Sequence, residues 1–123
     1  MNVQEIAFVC YAVKDFKKGR KFYEEVLGLK PTSVFEQDGM GFAEYDLGNG
    51  GALAIGSGAP NFKPGLGGGT VAFEVADFNK AVESLKKHKV PFTLEPHETG
   101  ACHMALITDP DGNQIMVHKR KKA

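Results

Sequence analysis

The chain repeats itself. Sliding the sequence by 62 positions lays Ala12 to Lys18 over Glu74 to Lys80, and four of the seven aligned pairs are identical: Val13/Val75, Asp15/Asp77, Phe16/Phe78 and Lys18/Lys80. The same offset puts Gly50 on Gly112, Leu53 on Ile115 and Ile55 on Val117, so no net insertion separates the copies. A register held this far says that one folding unit is used twice, and that both copies bury equivalent faces.

Each copy reads in the same order. A strand comes first, Ile6 to Val13 in the first copy and Val71 to Val75 in the second. Asp15 and Asp77 follow as helix N-caps, since a short carboxylate can accept the unpaired backbone N–H groups of a first turn. The first helix then carries Phe16, Phe22, Tyr23, Val26 and Leu27 on one face, and Gly28 is placed to end it. The second carries Phe78, Ala81, Val82 and Leu85, with Pro91 beyond its end. Three shorter strands complete each copy. They are split by the turns Asp46-Leu47-Gly48-Asn49-Gly50 and Asp109-Pro110-Asp111-Gly112-Asn113. The expected architecture is α+β: two tandem βαβββ modules, about 5–56 and 69–119, forming one cupped mixed sheet with helices on its outer face. The glycine- and proline-rich segment 57–68 is the linker. Gly67-Gly68-Gly69 precedes a strand and does not join a strand to a helix, which suits a linker better than a phosphate loop.

With 123 residues the chain has the length of one domain, able to bury roughly two-thirds of its unfolded surface. Fifteen basic residues balance fifteen acidic ones, and this zero formal net charge argues against nucleic acid as a partner. The basic run His118 to Lys122 reads as a solvated end. No apolar stretch approaches the roughly 20 residues that span a bilayer, and the first residues lack a secretion-signal pattern. The expected compartment is the cytoplasm, with Cys10 and Cys102 as free thiols.

Strand side chains alternate between faces. One set, Val9, Tyr11, Val13, Leu53, Ile55, Val71, Phe73, Val75, Ile115 and Val117, is bulky throughout and belongs under the helices. The opposite set, with Phe8, Cys10, Ala12, Ala52, Ala54, Thr70, Ala72, Glu74, Gln114, Met116 and His118, is small, mixed and partly polar. By the repeat register Phe42, Glu44, Met104 and Leu106 join it. A solvent face would not repeat alanine, and a packed core would not carry Glu74 and His118. The set suits either the wall of a ligand pocket or a second core closed by a partner subunit.

Asp15 through Leu29, with Phe22-Tyr23-x-x-x-Leu27-Gly28-Leu29, resembles the first-helix signature of the vicinal oxygen chelate superfamily. That superfamily includes glyoxalase I, extradiol dioxygenases and the fosfomycin and bleomycin resistance proteins. Asp109-Pro110-Asp111-Gly112-Asn113 before a last strand resembles it too. The resemblance covers nearly the whole chain and implies paired βαβββ modules, a small-molecule ligand and a homodimer. In its metal-using members a divalent ion with open positions polarises vicinal substrate oxygens. The metal positions implied here fall on Phe8, Ala54, Thr70 and Met116, which do not make a ligand set for such ions. The expectation is therefore a metal-independent small-molecule binder nearer the bleomycin resistance branch, with no cofactor. The alternative is a lyase or dioxygenase with a displaced metal or acid–base site.

The candidate ligand wall is Phe8, Cys10, Phe42, Glu44, Ala54, Thr70, Glu74, Met104, Met116 and His118. Glu74, His118 and Cys10 are the candidate catalytic groups. With Glu44 these three could form the displaced metal site, or Glu74 could anchor a ligand. Cys10 would need an adjacent base to act as a nucleophile and otherwise fills space. Met104 and Met116 suit an irregular apolar ligand, and Phe8 and Phe42 could stack on a ring. His103 is ambiguous in facing, the register placing it on the helix side. His88 and His97 read as surface residues.

Overall fold

Asp15 and Asp77 start two helices in the same way: each side chain accepts the backbone N–H three residues on, from Lys18 and Lys80, at 3.0 Å. A computed structural model of the chain describes residues 1, 2, 4, 6–49, 51–59, 63–65, 69–100 and 102–121. Much of the expected linker, 60–62 and 66–68, and the turn residue Gly50 lie outside the described residues. The chain divides into two compact units, residues 1–64 and 65–123.

In the first unit β1 (Val9–Ala12) leads to α1 (Phe16–Lys21), which continues as a π-helical turn (Phe22–Val26); β2 (Ser33–Gln37), β3 (Met40–Asp46) and β4 (Ala52–Ser57) follow. The four strands form a mixed sheet in the order β1-β4-β3-β2, with β1 parallel to β4 and the other pairs antiparallel. The second unit repeats the plan with β5 (Val71–Glu74), α2 (Phe78–Lys87), β6 (Phe92–Glu98), β7 (Cys102–Thr108) and β8 (Gln114–Arg120), in the order β5-β8-β7-β6. The fold is α+β, a tandem pair of βαβββ modules carrying two four-stranded mixed sheets. The 62-residue register survives to single hydrogen bonds: Val13 N–H donates to Gly56 O and Val75 N–H to His118 O, both at 2.9 Å.

One face of each sheet is covered by its own helix. In the first unit Phe16 lies on Gly41, and Tyr11, Val13, Tyr23, Tyr45, Leu53 and Ile55 are buried. In the second, Ala105, Ile107, Ile115 and Val117 are buried, and Phe78 of α2 lies 5.6 Å from the ring of His103. Each large side chain so buried contributes about 1.5–3 kcal/mol, which fixes the register of its strand.

Several expectations change. The first strand begins at Val9 and not at Ile6, which is 74% exposed. Its parallel partner explains this, because Val9 stands opposite Leu53 and β4 begins at Ala52, so residues before Val9 have almost no ladder to join. Val9, expected in the core, is 40% exposed for the same reason: it opens an edge strand. Val71, Phe73 and Val75 are only half-buried, along and just after β5, which is also an edge strand. Ser57, expected in the linker, ends β4 and donates its hydroxyl to Lys14 O at 3.1 Å.

The first helix is not uniform. Leu27 N–H donates to Phe22 O, five residues back, and Leu29 N–H to Tyr23 O. Gly28 closes the end with φ +77°, the left-handed conformation that costs glycine nothing.

Candidate functional site

The helix-free face of the second sheet is built from three rows of facing residues. Thr70 and Gln114 begin it, Gln114 Nε2 donating to Thr70 Oγ1 at 2.8 Å. Two residues along, Ala72, Met116, Leu106 and Leu94 stand side by side in register. Two further on come Glu74, His118, Met104 and His97. Gln114, Met116, Leu106, Met104 and His118 are all half-buried, whereas their neighbours Ile107, Ile115 and Val117 on the other face are buried. Strand alternation thus yields an apolar strip with a polar couple at each end.

Glu74 and His118 meet. His118 Nδ1 lies 2.6 Å from Glu74 Oε1, and the backbone N–H of Arg120 donates to Glu74 Oε2 at 2.7 Å. The Arg120 amide, and then the imidazole, hold the Glu74 carboxyl below the usual carboxylate range. Both carboxylate oxygens are engaged within the protein.

The helix-free face of the first sheet carries Phe8, Cys10, Ala12, Phe42 and Glu44. Phe8 and Phe42 meet edge to face, with ring centroids 5.7 Å apart. Cys10, Ala54, Glu44 and Ser33 share one row, and Ala12, Gly56, Phe42 and Phe35 the next. Ala54 is fully buried, so its methyl presents no surface for a ligand. Cys10 is exposed; its sulfur makes its one hydrogen bond among the described residues to Tyr11 O, at 3.8 Å, and the desolvation it does undergo among neighbouring strands pushes its thiol up. A thiol so placed is the poorer nucleophile. The Glu44 carboxylate has no hydrogen-bond partner among the described residues.

His103 turns to the helix side, against Phe78, with its Nε2 3.8 Å from Glu98 Oε2. His97 and His88 are exposed, and the ring of His88 bonds Ser84 O.

The four implied metal positions do not fit an ion. Phe8 and Ala54 have no donor atom, the Thr70 hydroxyl already accepts from Gln114, and the Met116 thioether suits soft copper. No group of three or more metal-ligating side chains occurs among the described residues.

A match spanning residues 5–117 to the Glyoxalase/Bleomycin resistance protein/Dioxygenase superfamily decides the ancestry. The chain belongs to that superfamily. A Vibrio parahaemolyticus protein named "Probable lactoylglutathione lyase" is similar to it at 29% identity, over 100% of this chain and 96% of the relative. The antibiotic binding protein TnmS3 of Streptomyces sp. CB03234 shares the fold with a TM-score of 0.80 at 22% identity, covering 98% of this chain and 99% of the other. The trypanothione-dependent glyoxalase I of Leishmania major gives a TM-score of 0.77 at 26% identity, covering 95% and 87%.

One cluster escaped sequence reasoning. Arg20 grips Glu24 through Nε at 2.7 Å and Nη2 at 3.2 Å, and the hydroxyl of buried Tyr45 donates to Glu24 Oε2 at 2.9 Å. Arg20 and then Tyr45 hold the Glu24 carboxyl low, while burial and Glu24 push the Tyr45 hydroxyl far up. Beside it, Phe16, Lys17, Lys21, Glu25 and Glu36 help line a cleft of about 410 Å³. The i,i+4 spacing of Arg20 and Glu24 is a visible signal of the ion pair. Tyr45, 21 residues further on, is not within reach of any local pattern.

Proposed function

We propose that this superfamily member binds a small organic molecule on the helix-free faces of its sheets, without a metal ion. The observation that carries the reading is the side-chain chemistry of those faces. Half-exposed Phe42, Met104, Leu106 and Met116 offer apolar surface, while the implied metal positions carry Phe8, Ala54, Thr70 and Met116. On each sheet, an apolar face with a few polar groups has the composition of a ligand-site lining.

Thermal unfolding tests this. Apolar organic compounds should raise the melting temperature, with ligand at 100-fold over its Kd adding about 2.7 kcal/mol. Zinc, nickel and manganese should leave it unchanged. A stoichiometric divalent ion that survives dialysis and carries the stabilisation overturns the reading.

A second reading, a lyase or dioxygenase with displaced acid–base chemistry, is favoured by the 2.6 Å contact of His118 with Glu74. The name of the Vibrio relative supports assaying lactoylglutathione formation. Turnover by the dialysed protein that disappears in His118→Phe supports this second reading, and absence of turnover supports binding alone.

The proposal includes a homodimer working in the cytoplasm. The exposed Val34, Phe35 and Met40 on β2 and β3 support it, as apolar surface a second copy would cover. Light scattering should give twice the 13.3 kDa chain mass.

A further inference from the structure

The second sheet's open face has an order that goes beyond general apolarity, and the following rests on the binding reading above. Its two polar couples bracket one apolar strip. Thr70 and Glu74 stand four residues apart on and just before β5, a separation of about 13 Å. Between them lie Ala72, Met116 and Leu106, in register and half-buried or exposed.

The two ends differ in chemistry. At one end Thr70 accepts from Gln114. At the other, the Glu74 carboxylate takes the Arg120 amide on one oxygen and faces His118 Nδ1 with the other. An ionised carboxylate can only accept, so Nδ1 carries the proton. In the neutral imidazole Nε2 is then an acceptor, and it has no hydrogen-bond partner among the described residues. The carboxylate behind it also makes this end unfavourable for an anion, and the strip between the ends disfavours a charge along its length.

We propose that this face takes an elongated, mainly apolar, uncharged ligand whose terminal O–H or N–H donor bonds His118 Nε2, with Glu74 acting as a positioning residue that fixes the imidazole tautomer. The couple Thr70 and Gln114 meets the far end of the same molecule.

Calorimetry with three probes on the full chain tests it: 4-phenylphenol, 4-methoxybiphenyl and biphenyl-4-carboxylate. The phenol should bind about tenfold more tightly than the ether, the equivalent of about 1.4 kcal/mol, and the carboxylate more weakly than either. His118→Phe should keep ether binding and reduce the phenol preference below about twofold. The His118 Nε2 resonance of 15N-labelled protein should shift with the phenol and not with the ether, a readout that a merely structural role would not move. If the probes bind without preference for the phenol, or the preference survives in His118→Phe, the inference fails while the binding reading stands. If no probe binds wild-type protein, both fail for this face.

Discussion

Gly41 of β3 is where one atom decides the packing. A Cβ built there would lie 2.4 Å from Cγ of Phe16 and 2.6–2.7 Å from its next ring carbons. These atoms belong to the near end of a buried ring, so neither side can yield without moving α1 from the sheet. Gly41→Ala should therefore cost about 1–3 kcal/mol, read as a lower urea midpoint at unchanged slope. Glu24 makes a second prediction. Its carboxyl is held low in the folded chain, first by Arg20, so the folded state binds a proton less readily than the unfolded one. That contribution is complete above the ordinary Glu value near 4.5 and is lost as pH falls through the lowered folded value. Glu24→Gln should lose less stability than wild type between pH 6 and pH 3 in parallel urea titrations. Equal slopes would show that Glu24 has no such role. At this scale legibility followed alternation. Alternation and register suffice to place Glu74 and His118 on one face, whereas their hydrogen bond depends on rotamers that no pattern encodes. Gly41 gave no signal at all, because the ring that requires it sits 25 positions earlier in the chain.

At the scale of elements the repeat carries the argument further than composition does. β5 lies 62 residues after β1 and β7 lies 62 after β3, residue for residue. The helices between them do not obey the offset throughout. The left-handed residue that ends the first helix is Gly28, thirteen after Asp15, whereas Lys89 with φ +60° comes twelve after Asp77. The π-helical turn Phe22–Val26 holds the additional residue. The second unit regains the register later, along β6, whose pairing with β7 is shifted between Phe92 and Leu94 and again between Leu94 and His97, while β2 pairs with β3 without a break. Irregularities confined between β1 and β3, and between β5 and β7, leave no trace in an offset measured end to end, which is why the sequence shows a plain repeat. Two predictions belong here. Asp15→Ala and Asp77→Ala should each cost about 1 kcal/mol in chemical denaturation, since both caps make the same 3.0 Å bond. Lys89→Gly should gain about 0.5–1 kcal/mol, because glycine removes the left-handed penalty that lysine bears there. A loss on Lys89→Gly would mean that the lysine stem contributes packing worth more than the strain.

At the scale of the whole molecule, charge is the property the sequence states completely, because it is a sum and needs no coordinates. Fifteen cationic and fifteen anionic side chains cancel, and the sequence isoelectric point is near 6.9. Near neutral pH the molecules therefore lack the long-range repulsion that keeps proteins apart in solution. Short-range attraction is available, since Val34, Phe35, Met40 and Leu94 are each between 38% and 49% exposed. The sequence hid these positions, because residues in an edge strand or at its hairpin alternate like any others and only the sheet order reveals which strand lies open. Solubility should pass through a minimum near the isoelectric point of about 6.9 and rise on either side, as the net charge grows away from zero. Polyethylene glycol precipitation midpoints from pH 5.5 to 9 measure this. Phe35→Lys adds one positive charge to the middle of exposed β2 while removing its largest apolar group. It should raise the midpoint at pH 7 and move the minimum to higher pH. A midpoint that rises without the minimum moving would assign the attraction to the apolar patch alone, and one that does neither would remove both from the account of how these molecules meet.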